Sequence, residues 1–216
     1  MTYGPIDDRE TERLLASQDG ISYLIDPAGI LLAVGEPAWT RFAASNDAPS
    51  LEGRAVIGKP LFSMIEGAEV RQCYDDLHAK LIDGSRSEVK FTYRCDSPAA
   101  QRYMRMSAAA IRRGSAVVGI LYHSVILEEI ARPPVKLITS SSVRRGMPKG
   151  DRNVDELVRV CSWCLRVKWP IGSATIADRS AWITAEDYAH RGGDPDRTVT
   201  HGICAACREA WTNAVD

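Results

Sequence analysis

The sequence contains no uninterrupted apolar run of the roughly 18 to 20 residues needed to cross a bilayer. Its first residues, MTYGPIDDRETERLL, lack the basic-then-apolar order of a signal peptide. The expectation is a cytoplasmic protein with no membrane contact. Net charge is almost absent as well: 27 Lys and Arg stand against 28 Asp and Glu, a formal charge of −1. That balance supplies no electrostatic reason to expect a nucleic acid or an anionic surface as partner. Internal repeats and long low-complexity tracts are missing. So are a phosphate-binding glycine loop, a Ser-His-Asp order, and any kinase, cyclase or helix-turn-helix signature. The expectation is therefore a protein that is not an enzyme.

Cysteine is scarce too, at six residues, but four of them come as two Cys-x-x-Cys pairs. In a reducing compartment such pairs are metal ligands more often than disulfides. A length of 216 residues accommodates two domains, since domains usually run about 100 to 150 residues.

Along the chain, residues 6–18 suit a short lead-in helix, with acidic residues early and Leu14 and Leu15 late. The apolar runs 21–25 and 30–34 are split by Asp26-Pro27-Ala28-Gly29, which predicts a β-hairpin. Pro37 opens a helix carrying Trp39, Phe42 and Ala43. A longer one over 68–82 places Val70, Cys73, Leu77 and Leu81 on one stripe and stops at Gly84. Three strand-like runs follow, at 88–94, 102–112 and 116–127, and their turns at Ser97-Pro98 and Gly114-Ser115 predict an antiparallel meander. Residues 131–152, with a Pro pair, a Ser triplet and Lys136, Arg144, Arg145 and Lys149, predict an exposed basic linker.

This order of two strands, helices and three strands resembles a PAS domain, an α+β fold in which helices wall off a pocket on a five-stranded antiparallel sheet. The likeness extends to text. AGILLAVGEPAWTRFAASN at 28–46 resembles the glycine turn, strand and Trp-x-x-Phe-Ala helix of one PAS subgroup. Tyr93-Arg94-Cys95-Asp96-Ser97-Pro98 followed by Arg102-Tyr103-Met104 resembles its Tyr-x-Cys-x-Ser-Pro stretch. Glu36 departs from it, standing where these domains commonly carry an Asn that ties the second strand to the next helix. The resemblance covers residues 20–130, between a lead-in helix at 1–19 and the linker.

PAS domains host many functions on one platform. In the haem sensors among them a histidine on the long helix binds iron, and Cys73 takes that place here. His78 lies about 140° around the same helix, so only one of the two can face the pocket. A cysteine on an apolar stripe is ordinarily a small core residue, so haem is the lesser reading. The short segment 58–64 has no cysteine, which excludes a blue-light flavin adduct. His123, alternating with Tyr122 on the last strand, reads as a satisfied strand histidine, and Cys95 as packing.

The C-terminal residues 153–216 carry the strongest signal. Cys161-Ser162-Trp163-Cys164 and Cys204-Ala205-Ala206-Cys207 offer the four thiolates of a closed tetrahedral zinc site, structural because no coordination position stays open for water. His201, three residues before Cys204, is an alternative ligand or a group behind the ligands. The first pair, the Trp182 to Tyr188 stretch and Thr200-His201-Gly202-Ile203-Cys204 resemble a short module at the ends of some bacterial sensory and response-regulator proteins. The insert 169–181 is longer than usual for that module. Arg159, Arg166 and Lys168 stand ready to balance thiolate charge. The expected function is a signalling adaptor, homodimeric through its PAS-like domain, that docks on another signalling protein. The alternatives are a nucleic-acid-binding regulator and a haem or redox sensor.

Overall fold

A computed structural model describes residues 8–46, 48–65, 67–133, 136–138, 157–170 and 181–215. The chain forms two compact units that do not follow its linear order. One comprises residues 1–64, 76–90 and 105–126, the other residues 65–75, 91–104 and 127–216. The fold is α+β and PAS-like. Its five-stranded antiparallel sheet has the order β2-β1-β5-β4-β3, built from β1 (Ile21–Ile25), β2 (Leu31–Val34), β3 (Glu88–Arg94), β4 (Ala100–Arg113) and β5 (Ala116–Ala131). Helices α1 (Asp8–Ala16), α2 (Ala38–Ser45) and α3 (Ala68–Asp83) flank it. No helix among the described residues is long and apolar enough to cross a membrane.

In the first unit, β1 is buried along its whole length between β2 and β5. The turn before β2 is set by Asp26, whose Oδ1 accepts the N–H groups of Ala28 and Ile30 at 2.9 and 2.8 Å. Tyr23 stacks on Tyr122 across the strand pair at 4.9 Å between centroids, with Trp39 of α2 edge-on at 5.5 Å. Leu15 of α1 packs with Leu24 and Ala33, against Ile111 and Leu121. Gly20 makes the bend from α1 into β1 at φ +93°, and a Cβ there would lie 2.3 Å from the Ser124 carbonyl oxygen. Glu36, where the sequence departs from the PAS pattern, still ties strand to helix: its Oε1 accepts the Thr40 hydroxyl at 2.7 Å. Here the donor comes from the helix instead of from residue 36.

Helix α3 forms as its stripe predicts, with Val70, Cys73, Leu77 and Leu81 all buried, and Gly84 follows its end at φ +83°. β3 matches the expected strand, whereas β4 and β5 run longer than the apolar pattern implied. The extra residues of β5, 128–131, are exposed, so no burial signal marks them in the sequence.

The second unit holds a four-stranded sheet in the order β8-β7-β6-β9, from β6 (Val158–Cys161), β7 (Val167–Lys168), β8 (Trp182–Ile183) and β9 (Val199–Gly202). Two further helices belong to it, α4 (Ala185–His190) and α5 (Ala205–Val215). Thr184 caps α4 by accepting the Asp187 N–H at 3.0 Å. Val158, Val160, Leu165, Val167, Tyr188 and Val199 make a small core, and Leu137 and Ile138 complete it with no exposed surface. That corrects the expectation of an exposed linker at its start: two apolar side chains next to a Pro pair fill the core. Arg144, Arg145 and Lys149 lie outside the described residues, as do residues 171–180 of the long insert.

Candidate metal centre

Strands β6 and β9 run parallel and in register, pairing Val158 with Val199 and Cys161 with Gly202. Their C-terminal ends therefore emerge side by side, and each chain turns at once into a Cys-x-x-Cys. The Ser162 N–H donates to the Gly202 carbonyl at 2.9 Å, locking the two turns together. In the first turn Leu165 adopts φ +52°, a left-handed conformation that costs a non-glycine residue about 1 kcal/mol. It closes the turn so that the Cys161 N–H reaches the Arg166 carbonyl at 2.8 Å.

The four sulfurs of Cys161, Cys164, Cys204 and Cys207 converge, all within 4.8 Å of one another. Zinc–sulfur bonds of about 2.3 Å in a tetrahedron put sulfurs about 3.8 Å apart. Cys164 Sγ and Cys204 Sγ are 3.6 Å apart, and all four residues are buried. Backbone N–H groups also point at sulfur: that of Cys204 at Cys161 Sγ and that of Cys207 at Cys204 Sγ, both at 3.4 Å. Cys204 thus occupies the capping position of α5, whose N-terminal dipole favours thiolate. The sulfurs cannot all ionise unaided. Hydrogen bonding among them lowers the Cys161 and Cys204 thiols and raises those of Cys164 and Cys207. A divalent cation held among the four sulfurs favours the thiolate form of each.

His201 is not in this convergent set. It lies on β9 opposite Val160, and a Cβ on Gly67 would come 3.4 Å from its own Cβ. Cys73 and His78 fall in different compact units, both buried. The His78 ring meets Phe62 edge-on at 5.1 Å and Tyr122 at 6.3 Å, an interior occupied by aromatic rings. His123 donates through Nε2 to the Asp19 carbonyl. Burial pushes the Cys95 thiol up to about 11.

Two carboxylates that the residue pattern did not single out hold this centre in the second unit. Glu69, in the first turn of α3, accepts the Ile203 N–H at 3.0 Å and Arg159 Nη2 at 2.6 Å through Oε2, while its Oε1 lies 3.4 Å from Arg208 Nη2. Gly202 makes room for this: a Cβ there would sit 2.4 Å from Arg159 Nε and 2.8 Å from Glu69 Oε2. Asp96 is fully buried. It accepts from Arg94 Nε at 2.8 Å and from the Arg102 N–H at 3.1 Å, with Arg132 Nη1 3.4 Å away. Its own N–H donates to the Trp163 carbonyl, inside the first knuckle, at 2.9 Å. Burial opposes the Arg94 charge, but hydrogen bonding to Asp96 and its field outweigh it, and the guanidinium is held above its ordinary range.

Around the knuckle, Trp163 packs on Tyr93 at 5.8 Å, Trp211 at 5.9 Å and Phe91 at 6.5 Å between ring centroids, and Phe91 meets Trp211 edge-on at 4.8 Å. Trp211 lies one helical turn after Cys207, on the same face of α5. Replacing Glu69 by Gln is expected to cost about 1–3 kcal/mol, because three part-buried or exposed donors lose a shared charged acceptor. Urea unfolding of the zinc-loaded chain checks this.

No family model matches the chain, and no curated protein matches it. Solved structures do. The PAS domain of Bordetella pertussis BvgS is 11% identical, with a TM-score of 0.45, over 56% of this chain and 85% of that one. The Vibrio cholerae VqmA dimer is 12% identical with a TM-score of 0.39, over 56% of this chain and 51% of that one, so the match spans about half of VqmA. A light-oxygen-voltage domain studied with a flavin analogue is 12% identical with a TM-score of 0.39, over 54% of this chain and 83% of that one. No functional residue is carried over from them.

Proposed function

We propose that this protein is a cytoplasmic, non-enzymatic bacterial signalling adaptor whose four cysteines hold a structural Zn²⁺. The observation that carries this reading is the convergence of four buried sulfurs within 4.8 Å from two knuckles on parallel strands. A donor set of four thiolates, supported by N–H···S bonds and leaving no coordination position for water, suits zinc in a structural role. Bound zinc holds the two knuckles together, and the signal enters through the PAS-like part. Output passes to another signalling protein or to a second copy of the chain.

The cations near the centre favour this over nucleic-acid binding. Arg159 and Arg208 are turned to Glu69, and Arg94 to Asp96. Charges spent on internal partners release fewer counterions from phosphate. Metal analysis and an absorption spectrum of the purified chain test the reading. The expected result is one zinc per chain and no visible band, with zinc shed as pH falls because protons compete for the thiolates. A Soret band, or a folded chain without metal, overturns it.

A further inference from the structure

Structural zinc sites are often sealed, but this one opens on one side. A cleft of about 220 Å³ in the second unit is bounded by Cys164, Cys204 and Cys207, with Arg94 and Arg166 on its walls and Ala210 of α5 at its side. Exposure divides the four cysteines: Cys164 and Cys207 are 7% exposed, against 0% for Cys161 and 1% for Cys204. Cys164 is therefore both reachable from the cleft and 3.6 Å, sulfur to sulfur, from Cys204.

We propose that Cys164 and Cys204 form a peroxide-oxidisable pair whose oxidation expels the metal, which makes the centre a modification site as well as a staple. The proposal rests on the reading of the four cysteines as a zinc site. In the first step the Cys164 thiolate attacks one oxygen of hydrogen peroxide. The O–O bond breaks, the sulfur becomes a sulfenic acid, and hydroxide leaves. In the second step the Cys204 thiolate attacks the Cys164 sulfur, the S–S bond forms, and a second hydroxide leaves. Two thiolates and one peroxide thus give one disulfide and two hydroxides. The ion keeps only Cys161 and Cys207 and dissociates.

Three features fit this chemistry. The Arg94 guanidinium, stacked 4.6 Å over the Tyr103 ring and paired with Asp96, lines the same cleft as Cys164. A cation on the cleft wall favours the departing hydroxide. Arg166, half-buried, brings a second cationic residue to the lining of the same cleft. The cleft itself admits a neutral molecule the size of peroxide.

The test treats the zinc-loaded full chain with hydrogen peroxide. Zinc release is followed with a chromogenic chelator, and disulfides are mapped by mass spectrometry. One zinc released and two thiols lost per peroxide, with a Cys164–Cys204 cross-link that dithiothreitol and added zinc reverse, is the expected result. Ala210→Leu, which narrows the cleft without touching a ligand, is expected to slow release about 10-fold, as access governs thiolate oxidation. Its zinc content before treatment reports whether it has folded. Zinc that stays bound while the exposed thiols of a control peptide oxidise overturns the proposal, as does a disulfide confined to Cys73 or Cys95. If Ala210→Leu proves unfolded, Arg166→Gln takes its place, with slower release again expected and an unchanged rate counting against the mechanism. A chain that never holds zinc fails the earlier reading instead, so the two outcomes are distinct.

Discussion

Replacing Cys204 by Ala is expected to abolish stoichiometric zinc binding and to unfold the second unit. This residue contributes more than one sulfur to the centre. Its Sγ touches that of Cys164 and accepts the Cys207 N–H at the start of α5, and its own N–H donates to Cys161 Sγ. Alanine removes a ligand, a helix cap and a thiolate charge together. The small core around Val158, Val160, Val167 and Tyr188 cannot compensate, because structural zinc supplies about 10–16 kcal/mol of apparent folding free energy in small zinc modules. Metal analysis should fall from one ion per chain to near none, and the near-ultraviolet circular dichroism of Trp163 and Trp211 should collapse. Cys73→Ala is the matched control, since Cys73 is a buried thiol on the apolar stripe of α3 and lies outside the sulfur cluster.

The second large effect is expected at Asp96. Its carboxylate has no exposed surface and is the shared acceptor for Arg94, Arg132 and the Arg102 N–H. Arg132 in turn stands 3.1 Å from Glu186 at the start of α4. Removing one partner of a buried ion pair leaves the other charges uncompensated, which typically costs about 3–5 kcal/mol. Asp96→Ala should therefore lower the unfolding free energy of the zinc-loaded chain, measured in urea, by that amount. Asp96→Asn, which keeps one acceptor oxygen, should cost less. A change under about 1 kcal/mol for Asp96→Ala, the level of an exposed pair, would show that the cluster contributes little.

Much of this architecture was legible in the residues. The Cys-x-x-Cys pairs named the centre because a metal demands a fixed local spacing. The stripe of Val70, Cys73, Leu77 and Leu81 named α3 because burial on one face imposes a helical period. Glu69 and Asp96 carried no comparable mark. Glu69 reads as an ordinary first-turn acid, and its bond to the Ile203 N–H joins residues 134 apart in sequence. Asp96 sits inside the very stretch that carries the PAS resemblance, yet nothing local shows that Arg132, 36 residues on, joins Arg94 there. Leu137 and Ile138 were hidden by their neighbours, since two prolines and a serine run outweigh two apolar residues in any compositional reading. The last residues of β5, 128–131, are exposed, so the hydrophobic pattern ended before that strand did.

The central claim is that zinc folds more than the C-terminal tail. Residues 65–75 and 91–104 belong to the same compact unit as both knuckles, joined through Glu69, Asp96 and the cluster of Phe91, Tyr93, Trp163 and Trp211. Hydrogen exchange of the zinc-loaded chain, before and after the metal is stripped with a chelator, addresses this directly, because cooperative units open together. The account predicts that protection at 91–95 and 100–104 collapses along with that at 158–161 and 199–204, while 21–25 and 31–34 stay protected. Loss confined to 158–215, with 91–104 unchanged, would contradict it.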